Sequence, residues 1–339
     1  MSEDIFSQLF NLFNNNDDEV NWKLAKQINS HLNKEEIQNT FSNKEVNYEE
    51  IFKVISLNNS NSDILDFNLL STKKWGDWFL DSIQHFDFSG LSNNNLDFGF
   101  GNMQSSILGM QLGNLSAFIA KNTFGLSHFG IVLPRSQTLA INHLNFDKRI
   151  EQFEINVNES VMALMMLELV TLSLGNYTAP FQFLIEKLNE SNSSLITSIQ
   201  DNTSKIDFEN ISNPQDIMNS IPEINNFDID SFFDPVLGPL SFYREVIKLK
   251  SKEILNFIDT SVIDLVMDLT FPFENSSIEG FEQKLSGYEA SARAFIDFLN
   301  NSLNEFTLDE IMSDVNLLPS LEELLDPISW AARTSLPPI

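Results

Sequence analysis

The chain has no cysteine, and that absence removes much of protein chemistry at once. Disulfides, thiolate nucleophiles and cysteine-held zinc are all excluded. Imidazole is scarce as well, because His31, His85, His128 and His143 are the only histidines in 339 residues. Basic side chains number 20 against 48 acidic ones, for a formal net charge of −28. A surface of that sign repels phosphate backbones and anionic headgroups, so neither nucleic acid nor a membrane is expected as a partner. The charge reads as a solubilising coat, with a cationic protein or peptide as the partner class it leaves open.

The recurrent phosphate and nucleophile motifs are missing too. There is no P-loop, no dinucleotide glycine fingerprint and no G-x-S-x-G elbow. GFGNMQ (99–104) holds glycines but neither a lysine nor a preceding strand, and it reads as loop. DIDSFFD (228–234) lacks the central glycine and terminal glutamate of a calcium loop, and it reads as a solvated turn. The first residues, MSEDIFSQLF, open on acids rather than a basic segment, so no secretory signal is expected. No unbroken apolar run reaches the roughly 18 residues a membrane span needs. These absences predict a soluble, cytoplasmic protein.

What is present is a helical pattern carried by 30 phenylalanines and many leucines. The expected fold class is mainly α, with one small β-hairpin. A short helix at 3–13 and a polar linker fill residues 1–19, and a single large helical domain spans 20–335. A hinge-like loop near 86–102 carries Gly90, Gly99 and Gly101. Helices are predicted at 20–32, 47–57, 72–85 and 103–121, the third anchored by Trp75, Trp78 and Phe79. Gly109 and Gly113, four apart, allow a second helix to approach the fourth closely. FGIVLPRSQTLAI predicts the hairpin, turning at 134–137, with His128 and His143 at its base. Two histidines without a third ligand read as structural rather than metal-binding. Beyond a long polar loop at 201–240, helices are expected at 240–269 and 277–304, then a capped short helix in the tail.

One helix raises a chemical question. VMALMMLELVTLSLG (161–175) is apolar except for Glu168 at its middle. Asn158 is its expected N-cap, and Gly175-Asn176 its end. Four residues away on either side lie Leu164 and Leu172, so an ionised Glu168 needs a cation or a raised pKa. Arg149, Arg244 and Arg293 are the candidate partners.

Several blocks, in order, resemble zincin-like hydrolases of actinobacterial type, a family of zinc-dependent metalloproteases. They are VNWKLAKQI, ILGMQLGNLSAFIAKNTFG with Gln111 and Gly113, LSHFGIVLP, LAINHLNF with Asn142 and Phe146, ESVMALMMLELVTLSL and LLPSLEELLDPISW. A zincin helix carries H-E-x-x-H, so that two histidines one turn apart reach one Zn²⁺ while the glutamate polarises its water. The resemblance places Glu168 at the general-base position and Leu167 and Thr171 at the two histidine positions. It gives NFIDTSVIDLVMDL as the later helix of the third ligand, with Asp259 in the acidic place and Asp264 near it. Leucine has no lone pair, and a threonine hydroxyl is a poor zinc ligand. The resemblance therefore implies a relative that has lost its zinc and its catalysis, and that serves as a scaffold or binding protein. The alternative is a working hydrolase with an atypical metal site built from Glu168, Asp259 and a distant histidine. A third reading is an interaction module that shares only a helical framework with zincins.

Overall fold

The computed structural model describes residues 19–34, 46–58, 66–84, 101–133, 138–150, 156–177, 179–180, 182–183, 186, 236–269, 284–301 and 306–335. The expected helix at 3–13, most of the loop near 86–102, His85 and DIDSFFD lie outside these residues. The chain divides into two compact units. One comprises residues 1–35, 76–119 and 185–229; the other comprises 36–75, 120–184 and 230–339.

In the first unit, α1 (Trp22–Leu32) lies against α4 (Gly101–Lys121). Asn21 caps α1 by accepting from the Leu24 N–H at 3.0 Å, and its own N–H donates to Ser105 O at 3.0 Å. A Cβ on Gly109 would collide with the Asn21 carbonyl, and one on Gly113 with the Ala25 carbonyl. The small residues thus bring the two backbones together, as their spacing suggests. A polar chain crosses the same unit, where Asn29 donates to Asp77 and Asn33 to Asn29, both at 2.8 Å.

The second unit holds α2 (Tyr48–Asn58), the two strands, α5 (His143–Ile150) and, among the described residues, the helices from Val157 onward whose ranges follow. The chain is mainly α, as the pattern predicts, but the β element differs from expectation. Strand β1 (Asp66–Leu70) pairs with β2 (Thr138–Asn142) in parallel, from Asp66↔Thr138 to Leu70↔Asn142. Residues 131–133, the expected first arm of a hairpin, form no strand. Parallel strands need a long crossover, supplied here by α3 (Thr72–Ile83), α4 and the chain after them. Trp75 seals the pair by donating Nε1–H to Ala140 O at 3.1 Å. Asn142 and Asn145 donate to Ala120 O at 2.7 and 3.0 Å, which satisfies the open carbonyls at the end of α4.

Helix α6 (Val157–Leu174) is the apolar helix of the sequence, and it is buried on nearly all sides. It packs against α2, β2, α7 (Leu237–Ile254) and α8 (Ser261–Asp268). By length and composition alone it could cross a membrane, but 72% of it is buried inside the protein. An all-round apolar helix is expected in such a core position. Its N-cap is Asn156, whose side chain accepts from Asn158 and Glu159, so the helix starts earlier than expected. The predicted single helix over 240–269 is two helices. The break lies at 255–260, where the Asp259 carboxylate accepts from the Ser261 N–H at 2.9 Å and starts α8. After α9 (Glu289–Asn301) and α10 (Leu308–Ser313) come α11 (Leu321–Leu325), with a Ser320–Glu323 capping box, and α12 (Pro327–Ser335). Phe242, Phe295 and Trp330 stack edge-on in sequence, with ring centres 5.9 and 5.3 Å apart, and tie the tail to the core.

Candidate functional site

Glu168 projects from the middle of α6 and is 1% exposed. It meets a short 3-10 turn at Ser127–Phe129. One carboxylate oxygen accepts from the Leu126 N–H at 2.7 Å, and the other from the Ser127 N–H at 2.9 Å. The Ser127 hydroxyl also donates to the second oxygen. Two adjacent backbone amides and a hydroxyl thus enclose the carboxylate as they would an anion at a helix start.

Two glycines make this seat possible. A Cβ on Gly125 would overlap the Glu168 carboxyl carbon, so only glycine lets the loop lie flat on the acid. Gly130 ends the turn with φ of +68°, and a Cβ there would strike Leu240 O of α7. The loop is therefore held between α6 and α7.

Among the described residues, Glu168 has no cationic partner. Of the three arginines expected as candidates, Arg244 pairs with Glu289 and Asp268, and Arg293 pairs with Glu245. Burial pushes the Glu168 pKa up to about 7, and the bonds from Ser127 and Leu126 oppose that rise without cancelling it. Of the two expectations for this residue, the raised pKa is met, and the ion pair gives way to backbone amides.

The positions flanking Glu168 are closed to chemistry. Leu167 is 1% exposed in the apolar core. The Thr171 hydroxyl donates to Leu167 O at 2.7 Å, a bond back to its own helix. Asp259 sits fully exposed at the start of α8, where its bond from Ser261 lowers its pKa. Asp264 is engaged elsewhere, with Lys252 at 2.6 Å. His128 stacks edge-on with Phe124 and Phe129, and His143 Nδ1 lies 3.0 Å from Leu70 O. Burial lowers the pKa of His143. Among the described residues, no three His, Asp or Glu side chains gather as metal ligands. The structure thus brings Glu168 to Leu126 and Ser127, while Asp259 lies exposed at the start of α8.

No local pattern in the sequence points uniquely to the partners of Glu168. Their signal is the spacing of Gly125 and Gly130 around LSHF, which reads equally well as one arm of a hairpin. A second polar cluster joins residues that the sequence keeps far apart. Arg244, Glu245, Lys248 and Lys252 of α7 meet Asp264 and Asp268 of α8 and Glu289 and Arg293 of α9.

No protein-family model matches the chain, and no curated protein matches it. One solved structure is similar over 94% of this chain and 100% of its own: a protein of Chloroflexus aurantiacus described as a candidate hydrolase with a novel fold. The two share 12% identity with a TM-score of 0.43.

Proposed function

We propose that this protein is a non-catalytic relative of zincin-like hydrolases, acting in the cytoplasm as a scaffold or binding protein. The occupancy of Glu168 carries this reading. A general base must reach a metal-bound water, whereas both oxygens of Glu168 are taken by Leu126 and Ser127, with Gly125 pressed against them. Leu167 offers no lone pair and Thr171 is bonded to its own helix, so the i, i+4 ligand pair of a zincin has no counterpart. On this reading Glu168 clamps the loop at 125–130 onto α6, and the parent chemistry survives only as geometry. An acidic surface suits a cationic protein or peptide partner, with no role for nucleic acid or membrane.

The test is metal analysis of protein purified in the presence of zinc, alongside hydrolysis of a broad peptide mixture, with Glu168→Gln as control. The expected result is no stoichiometric metal, no hydrolysis, and a variant that differs from the wild type in stability alone. Near-stoichiometric zinc together with hydrolysis abolished by Glu168→Gln would overturn the proposal in favour of a working hydrolase with an irregular site.

A further inference from the structure

Among the described residues, the exposed large apolar side chains Leu32, Leu57, Phe257 and Leu265 stand on separate elements. Leu325 and Ile328 differ, because they lie three residues apart, 60% and 71% exposed, where α11 gives way to α12. Ala332, one turn after Ile328, is exposed on the same face of α12. Single exposed apolar residues are ordinary on a protein surface, whereas neighbouring ones rimmed by polar groups mark a contact surface.

The other side of this segment is firmly anchored. Trp330 is fully buried, donates Nε1–H to Leu317 O at 2.7 Å and stacks edge-on against Phe295 of α9. Arg333 grips both oxygens of Glu323, at 2.6 and 3.0 Å. The start of α11 lies so close to α7 that a Cβ on Gly238 would strike Leu321 N. Asp326 fixes the joint between the two helices by accepting from the Ile328 N–H and the Ser329 hydroxyl. These contacts decide which side faces the core, and Leu325 and Ile328 are left on the other. The charge there has one sign. Residues 306–335 carry Asp309, Glu310, Asp314, Glu322, Glu323 and Asp326 against Arg333 as the sole base, and Arg333 is engaged with Glu323. Glu322, one turn before Leu325, and Asp326, next to it, are exposed and have no cation among the described residues.

We propose that the outer face of α11 and α12 docks a basic amphipathic helix of a partner protein, with Leu325 and Ile328 against its apolar side and Glu322 and Asp326 against its lysines or arginines. This site rests on the acidic surface and cationic partner of the proposed function, and not on the role of Glu168. Charge selects this occupant over the others. A second copy of the chain would bring the same acids against their own images. An anionic bilayer would meet them with charge of like sign. A helix with an apolar stripe bordered by cations complements both the leucine–isoleucine pair and its acidic rim. Caps and clamps already hold the face in place, so little ordering is lost when a partner docks.

The probe is a synthetic helix of leucine and lysine, about 18 residues or roughly five turns long, with its leucines on one side. A counterpart carries glutamate in place of lysine, and fluorescence anisotropy reads the binding of each to the full-length protein. Saturable binding of the lysine peptide is expected, and none of the glutamate peptide. Leu325→Ser combined with Ile328→Ser removes the apolar contact without touching a charge or a buried group, and should weaken binding by about ten-fold or more. Leu57→Ser, on a leucine of α2 that is 84% exposed, should leave binding unchanged. Undiminished binding by the double variant, or an equal loss in Leu57→Ser, would overturn this site and leave the cationic-partner reading in place. Failure of the lysine peptide to bind the wild type would overturn both. A wild-type dimer in sedimentation that the double variant loses would overturn the site in favour of a second copy.

Discussion

Glu168 and Glu245 are two glutamates buried equally deeply in the same unit, and they are kept there in opposite ways. Glu168 lies among neutral dipoles: two backbone amides and a hydroxyl, with no cation. Glu245 lies among charges, with Arg293 at 2.6 Å and Lys248 at 4.0 Å. Burial raises the pKa of both, and for Glu245 the two cations oppose the rise. The contrast teaches that a lone acid in an apolar helix does not by itself signal an ion pair. A loop that can offer adjacent amides does the same work, provided glycine lets it come close enough.

The comparison breaks most sharply if Glu245 loses its cation. Arg293→Met should cost about 2–3 kcal/mol, because it leaves the buried Glu245 with Lys248 at 4.0 Å as its remaining counter-charge, while the 46% exposure of Arg293 screens the pair that is lost. Urea unfolding at pH 8 reads this, and adding Glu245→Gln should recover more than half of the loss. A cost within about 1 kcal/mol of zero would mean that Arg293 is not what holds Glu245.

For Glu168 the effect is a dependence on pH. Its folded pKa of about 7 lies above the ordinary 4.5, so the folded state holds the proton more tightly. The associated stability is present below pH 4.5 and is lost as pH rises toward 7, a swing on the order of 3 kcal/mol. Glu168→Gln cannot titrate. It should therefore be about 1 kcal/mol less stable than wild type at pH 5, from imperfect hydrogen bonding, and more stable than wild type at pH 8. A cost that stays constant or grows with pH would show that the folded protein prefers the ionised acid.

Gly125→Ala tests the seat itself. The added methyl must displace either the loop or the carboxyl group, at about 2 kcal/mol by urea unfolding. Little change would show that the loop does not need to lie against Glu168. The smallest effect is expected where both partners are wet. Lys26 and Asp81 pair at 2.5 Å in the first unit with side chains 41% and 48% exposed, and Asp81→Ala should cost under about 0.5 kcal/mol and less in high salt.

Much of this architecture is legible in residue patterns, because local rules govern it. The helices at 48–58 and 72–83 and the capped tail follow from spacing and caps, and Gly109 and Gly113 announce the contact with α1. The failures are non-local. The partner of β2 lies far back in the chain at Asp66–Leu70, and no short-range signal distinguishes a parallel pairing from a hairpin. The helix break at 255–260 turns on one Asp259 bond that competes with continuation of the helix. Gly175 does end α6, but it does so in right-handed geometry with φ of −64°. Glycine is needed there because Leu133 O comes too close for a Cβ. The site divides along the same line. The burial of Glu168 follows from its neighbours in sequence, whereas its partners at 126–127 depend on a loop brought in from 41 and 42 residues away.

The parallel pairing of β1 with β2 also sets an order of assembly. Residues 71–137 lie between the two strands, so β1 cannot zip to its partner as it leaves the ribosome. At about 5–20 residues per second the wait is about 3–13 s. Throughout that interval the edge of DFNLL is bare, a template for pairing with another nascent chain. Asp66, at the mouth of that strand, is the one charge within it that stands against such a mistake.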